Sequence, residues 1–233
     1  MPIGIITNVL SVLFGGLVGG LLSRRIPRKI KEALPLIFGF SSMMIGISLI
    51  VKLERLPAVM LSLILGTIAG ELLDLEARVT KAVTVVQSKL MKNSKTDKAV
   101  MAEFLSILVV FCASGTGIFG ALQEGMTGDH TILLAKSILD FFTAVIFATT
   151  VGYLICIIAV PQFLIFMALF LCAGLIIPLA DAAMLGDFSA CGGLIALAAG
   201  FRICKICDVR LVNVLPALIL VMPISWLWGT FIG

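Results

Sequence analysis

The stretch from Phe141 to Ala180 carries no charged residue and no histidine. A membrane-spanning helix needs roughly 20 apolar residues to cross a hydrocarbon core of ~30 Å, so this stretch alone is about twice one span. The rest of the chain agrees. Of its 233 residues, 61% are hydrophobic and 13% charged, with a mean hydropathy of +1.20. A soluble domain is nearer half apolar and about a quarter charged. Too few polar side chains remain here to cover a soluble surface. The N-terminal MPIGIITNVLSVLFGGLVGGLL has neither a basic n-region nor an A-x-A site. It reads as a first span rather than a removed signal peptide.

The apolar runs predict an all-α transmembrane bundle, one domain over residues 1–233, with about eight spans and seven as the alternative. They are Gly4–Leu22, Leu34–Val51, Leu56–Leu73, Val100–Ala121, Thr131–Val151, Leu154–Ala180, Asp187–Phe201 and Leu211–Phe231. No polar turn divides the fifth from the sixth, and the break is placed near Gly152–Tyr153. The seventh is short for a full crossing. Basic residues orient the chain. With the segment after the first span in the cytoplasm, all but Lys52, Arg55 and Lys136 of the 17 basic residues fall inside. Both termini then face outward. The net charge of +4 is a topology signal, not a sign of a nucleic-acid partner. Residues 74–98 form a cytoplasmic segment. Leu75, Val79, Val83, Val86 and Leu90 recur there at helical spacing, which predicts an amphipathic surface helix.

A faint internal repeat aligns GISLIVKLERLPAVMLSLIL from Gly46 with GFRICKICDVRLVNVLPALI from Gly200. The first charged turn faces out and the second in, as in inverted-repeat transporters. Gly15/Gly19, Gly16/Gly20 and Gly66/Gly70 form G-x-x-x-G pairs suited to close helix contact, within one protomer or between protomers of a homo-oligomer. The six cysteines lie mostly in apolar segments, where they behave as small hydrophobes. Cys204 and Cys207 have the spacing of half a zinc site, but no second ligand pair accompanies them. No metal or cofactor is expected.

The richest polar stretch is Ser114–Asp140. Gly115, Gly117 and Gly120 stand beside Ser114 and Thr116. Each glycine weakens a helix by about 1 kcal/mol. Two readings fit: close helix packing, or a broken helix lining a polar cavity. Gln123, Glu124, Asp129 and His130 crowd the adjoining outer turn, as a solvated loop or as a vestibule for cations. Lys136 and Asp140 are four apart and share a helix face. Asp140 lies about 13 Å into its span, at 1.5 Å per residue, near the midplane. A carboxylate there costs ~2.5–3.5 kcal/mol and points by default to function. The plainer reading is that Lys136 merely neutralises it. Ser137, Thr143, Asn8 and Asn213 are candidates to complete a polar path for a small solute or ion.

Asn8 with Gly15-Gly16, Gly70-Glu71, the stretch GxxxxGALQEGMTGDHTILLAKSILD, and Asn213 before Leu215-Pro216-Ala217 carry a resemblance. Over nearly its whole length the chain resembles the domain-of-unknown-function 554 family of bacterial membrane proteins. The resemblance implies a multi-pass protein of the bacterial cytoplasmic membrane, in a family described as membrane or transport proteins. Cys204 and Cys207 depart from that pattern. The leading expectation is secondary transport or facilitated passage of a small solute or ion. The alternative is a non-transporting accessory or signalling membrane protein. Without a nucleophile–base set, P-loop or zincin motif, an enzyme is not expected.

Overall fold

The computed structural model describes residues 1–22, 27–79, 114–174 and 180–231, with isolated positions 81, 100, 104, 107, 108, 111 and 112. The described elements are helical: α1 (Ile3–Leu22), α2 (Arg28–Ile50), α3 (Leu56–Leu73), α4 (Gly115–Thr127) and α5 (Thr131–Val151). A 3₁₀ turn (Gly152–Leu154) leads into α6 (Ile155–Ala173), followed by α7 (Ala182–Ile203), α8 (Leu211–Val214) and α9 (Pro216–Phe231). A helix satisfies its backbone polar groups internally, which lipid demands.

Among the described residues, 6 helical stretches are long and apolar enough to cross a membrane. One of them, Thr131–Ala173, has 43 residues. It turns back at Gly152, whose φ of 66° and ψ of −149° suit glycine. Gly15 and Gly19 of α1 meet Phe141 and Val145, so α5 runs parallel to α1. Gly16 and Gly20 meet Cys156 and Tyr153, so α6 runs antiparallel. The stretch is therefore two crossings, divided where the sequence places the break.

The bundle is apolar on its outside. Phe14, Met44, Leu164 and Ile219 are exposed, as lipid-facing side chains should be. Helix α7 is the most buried of the candidate spans. Its small residues let α2 approach: a Cβ on Gly46 would lie 2.6 Å from the Gly193 carbonyl oxygen. Gly66 and Gly70 of α3 abut the Ala217 and Asn213 backbones. Gly15, Gly16, Gly19, Gly20, Gly66 and Gly70 thus all make contacts within one protomer.

Several boundaries differ from expectation. Helix α7 is not short: Asp181 caps it by accepting from Met184 N–H at 2.7 Å, giving 22 residues. Asp187 reads as an edge in the sequence because it is charged, yet it is fully buried. Helix α6 ends at Ala173, and residues 175–179 lie outside the described set. The last span is broken before Pro216, which has no N–H to continue the ladder. Of the expected 74–98 surface helix, residues 75–79 and 81 are described and helical, and the remainder lies outside the described residues. The same holds for most of the fourth span before Ser114.

Candidate functional site

Four polar side chains from three helices meet inside the bundle. Asn8 (α1), Lys136 and Asp140 (α5) and Gln162 (α6) are each at least nine-tenths buried. Lys136 and Asp140 form the i,i+4 ion pair that the spacing predicts, through Asp140 Oδ2. Asn8 Nδ2 donates to the same oxygen at 2.9 Å, and Gln162 Nε2 at 3.3 Å. Gln162 Nε2 also donates to Asn8 Oδ1 at 2.8 Å. Three donors thus converge on Oδ2, while Oδ1 accepts from no described residue. Gln162 Oε1 is buried and has no partner among the described residues.

The packing explains why these groups meet. Gly15 and Gly19 bring α1 onto α5, and Gly16 brings it onto α6. Asn8 therefore reaches both helices. Gly117, in the first turn of α4, leaves room for the Lys136 stem: a Cβ there would lie 2.9 Å from Cε. The Lys136 ammonium sits 5.8 Å from the Phe111 ring centroid, within cation–π range.

The cluster opens on a cavity of about 310 Å³. Lys136, Asp140, Ser114 and Thr116 supply its charged and polar wall, with Ser42 and Thr143. The remaining wall is apolar, including Phe38, Phe147 and Ile203. Ser114 is extended (φ −64°, ψ 124°) and caps α4, accepting from Gly117 N–H at 3.4 Å. Helix α4 has only 13 residues. It begins beside the cavity and runs parallel to α6, as Gly117 against Phe166 and Gly125 against Phe170 show. Its N-terminal N–H groups, the positive end of its dipole, thus lie at the cavity wall.

The other predicted residues do not join. Glu124 is buried and accepts from Gly4 N–H at 2.7 Å and Ile5 N–H at 3.2 Å. It satisfies the start of α1 and is not part of an open vestibule. Gln123 is buried between Thr127 and Ser189. Ser137 donates to the Leu133 carbonyl at 2.6 Å, a bond within its own helix. Asp129 stands one residue before His130, the N-cap of α5, and hydrogen bonds from the Thr131 hydroxyl and N–H hold its carboxyl below the usual carboxylate range. Asn213 lies elsewhere and accepts from Glu76 N–H at 2.8 Å. Position in a span does not fix which face Ser137 or Asn213 presents, and Gln123, Glu124 and Asp129, read as an outer turn, are engaged by neighbouring groups.

Sequence reasoning missed Gln162 and another buried carboxylate, Asp187. Asp187 Oδ1 accepts from the N–H groups of Glu54 (3.0 Å) and Arg55 (2.7 Å), and Oδ2 from Ser225 Oγ (2.6 Å). Arg55 Nη1 donates to the Ser225 carbonyl and hydroxyl, both at 3.1 Å. The readable signal for Gln162 was an isolated amide in an otherwise apolar run.

The family model of a protein of unknown function, DUF554, matches residues 3–226. The chain belongs to this family. It is 47% identical over 230 residues to the uncharacterized protein YqgA of Escherichia coli (strain K12), covering 98% of each chain. It is 27% identical over 224 residues to the uncharacterized membrane protein YdfK of Bacillus subtilis (strain 168), covering 93% of each. No solved structure matches it. The family match and the apolar helices make this a membrane protein.

Proposed function

We propose that the chain is a multi-pass secondary transporter or facilitator of a small solute or ion in the bacterial cytoplasmic membrane, with Asp140 at the centre of its path. The observation that carries this is the half-used carboxylate: Asp140 is buried among apolar helices, pairs through one oxygen, and lines a cavity. Intramembrane carboxylates are costly and are kept where they act.

An inverted repeat supports the same reading. The Gly46–Gly200 alignment has an offset of 154 residues, and the hydrogen-bonded pairs Asn8–Gln162 and Ser42–Ala196 have that same separation. At this offset Gly39 falls on Gly193 and Gly46 on Gly200. Their contacts cross: Gly39 lies against Gly200, and Gly46 against Gly193. Residues that meet their own counterparts, and contact pairs that exchange partners, are what two-fold packing produces. Helices α1–α3 and α6–α9 are then the two repeats, with α4 and α5 between them. In transporters with inverted repeats the site lies near the midplane at the repeat interface, where Asn8 and Gln162 meet.

By the positive-inside rule the cavity faces the cytoplasm, since Pro35, Phe147 and Ile203 lie toward the basic end. On the outer side Phe119 is fully buried and packs on Phe188 at a centroid distance of 5.1 Å. The decisive experiment is uptake in proteoliposomes, using solutes found by a thermal-shift screen. Asp140→Asn should fold and should not transport. Normal transport by the folded variant would make Asp140 structural and remove the basis of the proposal. In cysteine-free background, a cysteine at Thr127 should label from outside intact cells and one at Arg28 should not.

A further inference from the structure

We infer that the solute is a small zwitterion with an apolar body, of the class of the aliphatic α-amino acids. This rests on the transport reading and names the chemistry of the same site.

The first argument is charge balance. Lys136 and Asp140 together are neutral, and both are buried. An added lone cation or anion would leave a net charge in a poorly solvated place. Two unit charges 4 Å apart interact by about 4 kcal/mol at an effective dielectric of 20, so a second like charge is strongly opposed. A zwitterion adds none.

The second argument is the placement of complementary groups. Asp140 Oδ1 accepts from no described residue, which leaves it for a solute ammonium. The Lys136 ammonium and the N-terminus of α4 supply a positive wall for a solute carboxylate. Ser114 and Thr116 of that terminus line the same cavity as Lys136, and Gly117 touches the Lys136 stem. A broken helix whose N-terminus points at an anionic group is a recurrent transporter device.

The third argument is the rest of the wall. Phe38, Leu139, Ile146, Phe147 and Ile203 suit an aliphatic side chain. This part of the wall offers none of the oxygen ligands that an inorganic cation needs in place of its hydration shell; those lie on the polar wall alone. The volume of about 310 Å³ is at the low end of the ~300–1,000 Å³ typical of ligand pockets.

The test uses the full chain, purified in nanodiscs, with five probes: L-leucine, L-valine, isobutylamine, isovalerate and sodium chloride. Binding is read by thermal shift and by displacement of radiolabelled leucine. The amino acids should raise Tm saturably, and the two single-charge analogues should bind at least tenfold more weakly. Asp140→Asn and Lys136→Met should each weaken leucine at least tenfold. Should either misfold, Thr116→Val serves, with a smaller loss expected. If isobutylamine or sodium binds as tightly as leucine, and Asp140→Asn abolishes it, the zwitterion assignment falls while the transport reading stands. If no probe shifts the wild type, the assignment falls too. If leucine binds but folded Asp140→Asn takes it up as fast as wild type, the role given to Asp140 fails in both proposals.

Discussion

Two buried carboxylates invite comparison. Asp187 and Asp140 both lie inside apolar helices, and both are buried. Their partners differ in kind. Asp187 has both oxygens occupied, two of its three donors are backbone N–H groups, and its bonds tie α7 to the start of α3 and to α9. Asp140 takes three side-chain donors on one oxygen and turns the other side of its carboxylate to a cavity. The first arrangement is closed: any change of partner breaks the fold. The second has a vacancy and partners that can move. Burial alone does not separate a structural carboxylate from a working one; counting its occupied oxygens does.

The comparison breaks most sharply under truncation. Asp187→Ala should cost about 3–4 kcal/mol of stability, because one buried and two partly buried donors lose their acceptor at about 1–3 kcal/mol each, with partial overlap. Unfolding in mild detergent, followed by tryptophan fluorescence, measures it. A loss no greater than that of a surface alanine would end the contrast. Next in size is Lys136→Ala, at about 3 kcal/mol, since it strands a buried charge. Its cost should be partly recovered in Lys136→Ala/Asp140→Asn, with a coupling of about 1–3 kcal/mol. No second side-chain change can rescue Asp187→Ala in that way, because its lost partners are mainly backbone. An additive Lys136/Asp140 cycle would place Asp140 with Asp187 as a fixed structural group.

The asymmetry also marks what the sequence could yield. The apolar runs and the Gly152 turn set the helices, because lipid imposes one length and one hydrogen-bond solution on any span. The Lys136–Asp140 pair was legible because both partners lie on one helix at i,i+4. Asn8 was legible only as a polar residue in an apolar span, and its partner depended on which glycine edge of α1 met α5. Gln162 and the Asp187 knot were not read. Their meaning comes from contacts between helices far apart in sequence, and nothing local encodes those. Glu124 and Asn213 show the converse. Both look like site residues by type and depth, yet packing turns them to a helix start and to a neighbouring backbone.

Asp140→Asn sharpens the comparison from the functional side. The amide is nearly isosteric, and its oxygen can keep the bonds from Asn8 and Gln162. Stability should fall by about 1–3 kcal/mol, because the amide oxygen can still accept from Lys136 but no longer neutralises its buried charge, while uptake falls at least tenfold. The equivalent Asp187→Asn should reverse the pattern, losing stability first, since an NH₂ would face a donor on at least one side.

A third carboxylate gives the smallest effect and a control in water. Asp129 lies in the exposed turn before α5, where the Thr131 hydroxyl and N–H hold its carboxyl below the usual range. A lowered folded value means that its contribution is fully present above the unfolded pKa of about 4 and fades as pH falls through the folded value. Asp129→Ala should therefore cost about 0.5 kcal/mol at pH 7, a helix-cap effect of the ordinary size. The deficit against wild type should shrink as pH falls below about 4, because wild type loses its charge there and the variant has none to lose. Salt should trim it little, since short hydrogen bonds rather than distant charges produce it. Unfolding curves at pH 7, 4 and 3 measure the trend. A deficit that grows on acidification would mean that Asp129 is favoured in its protonated form. Transport by this variant should match wild type. If it fell as Asp140→Asn does, the outer turn would belong to the solute path after all, and occupied oxygens would no longer separate working carboxylates from structural ones.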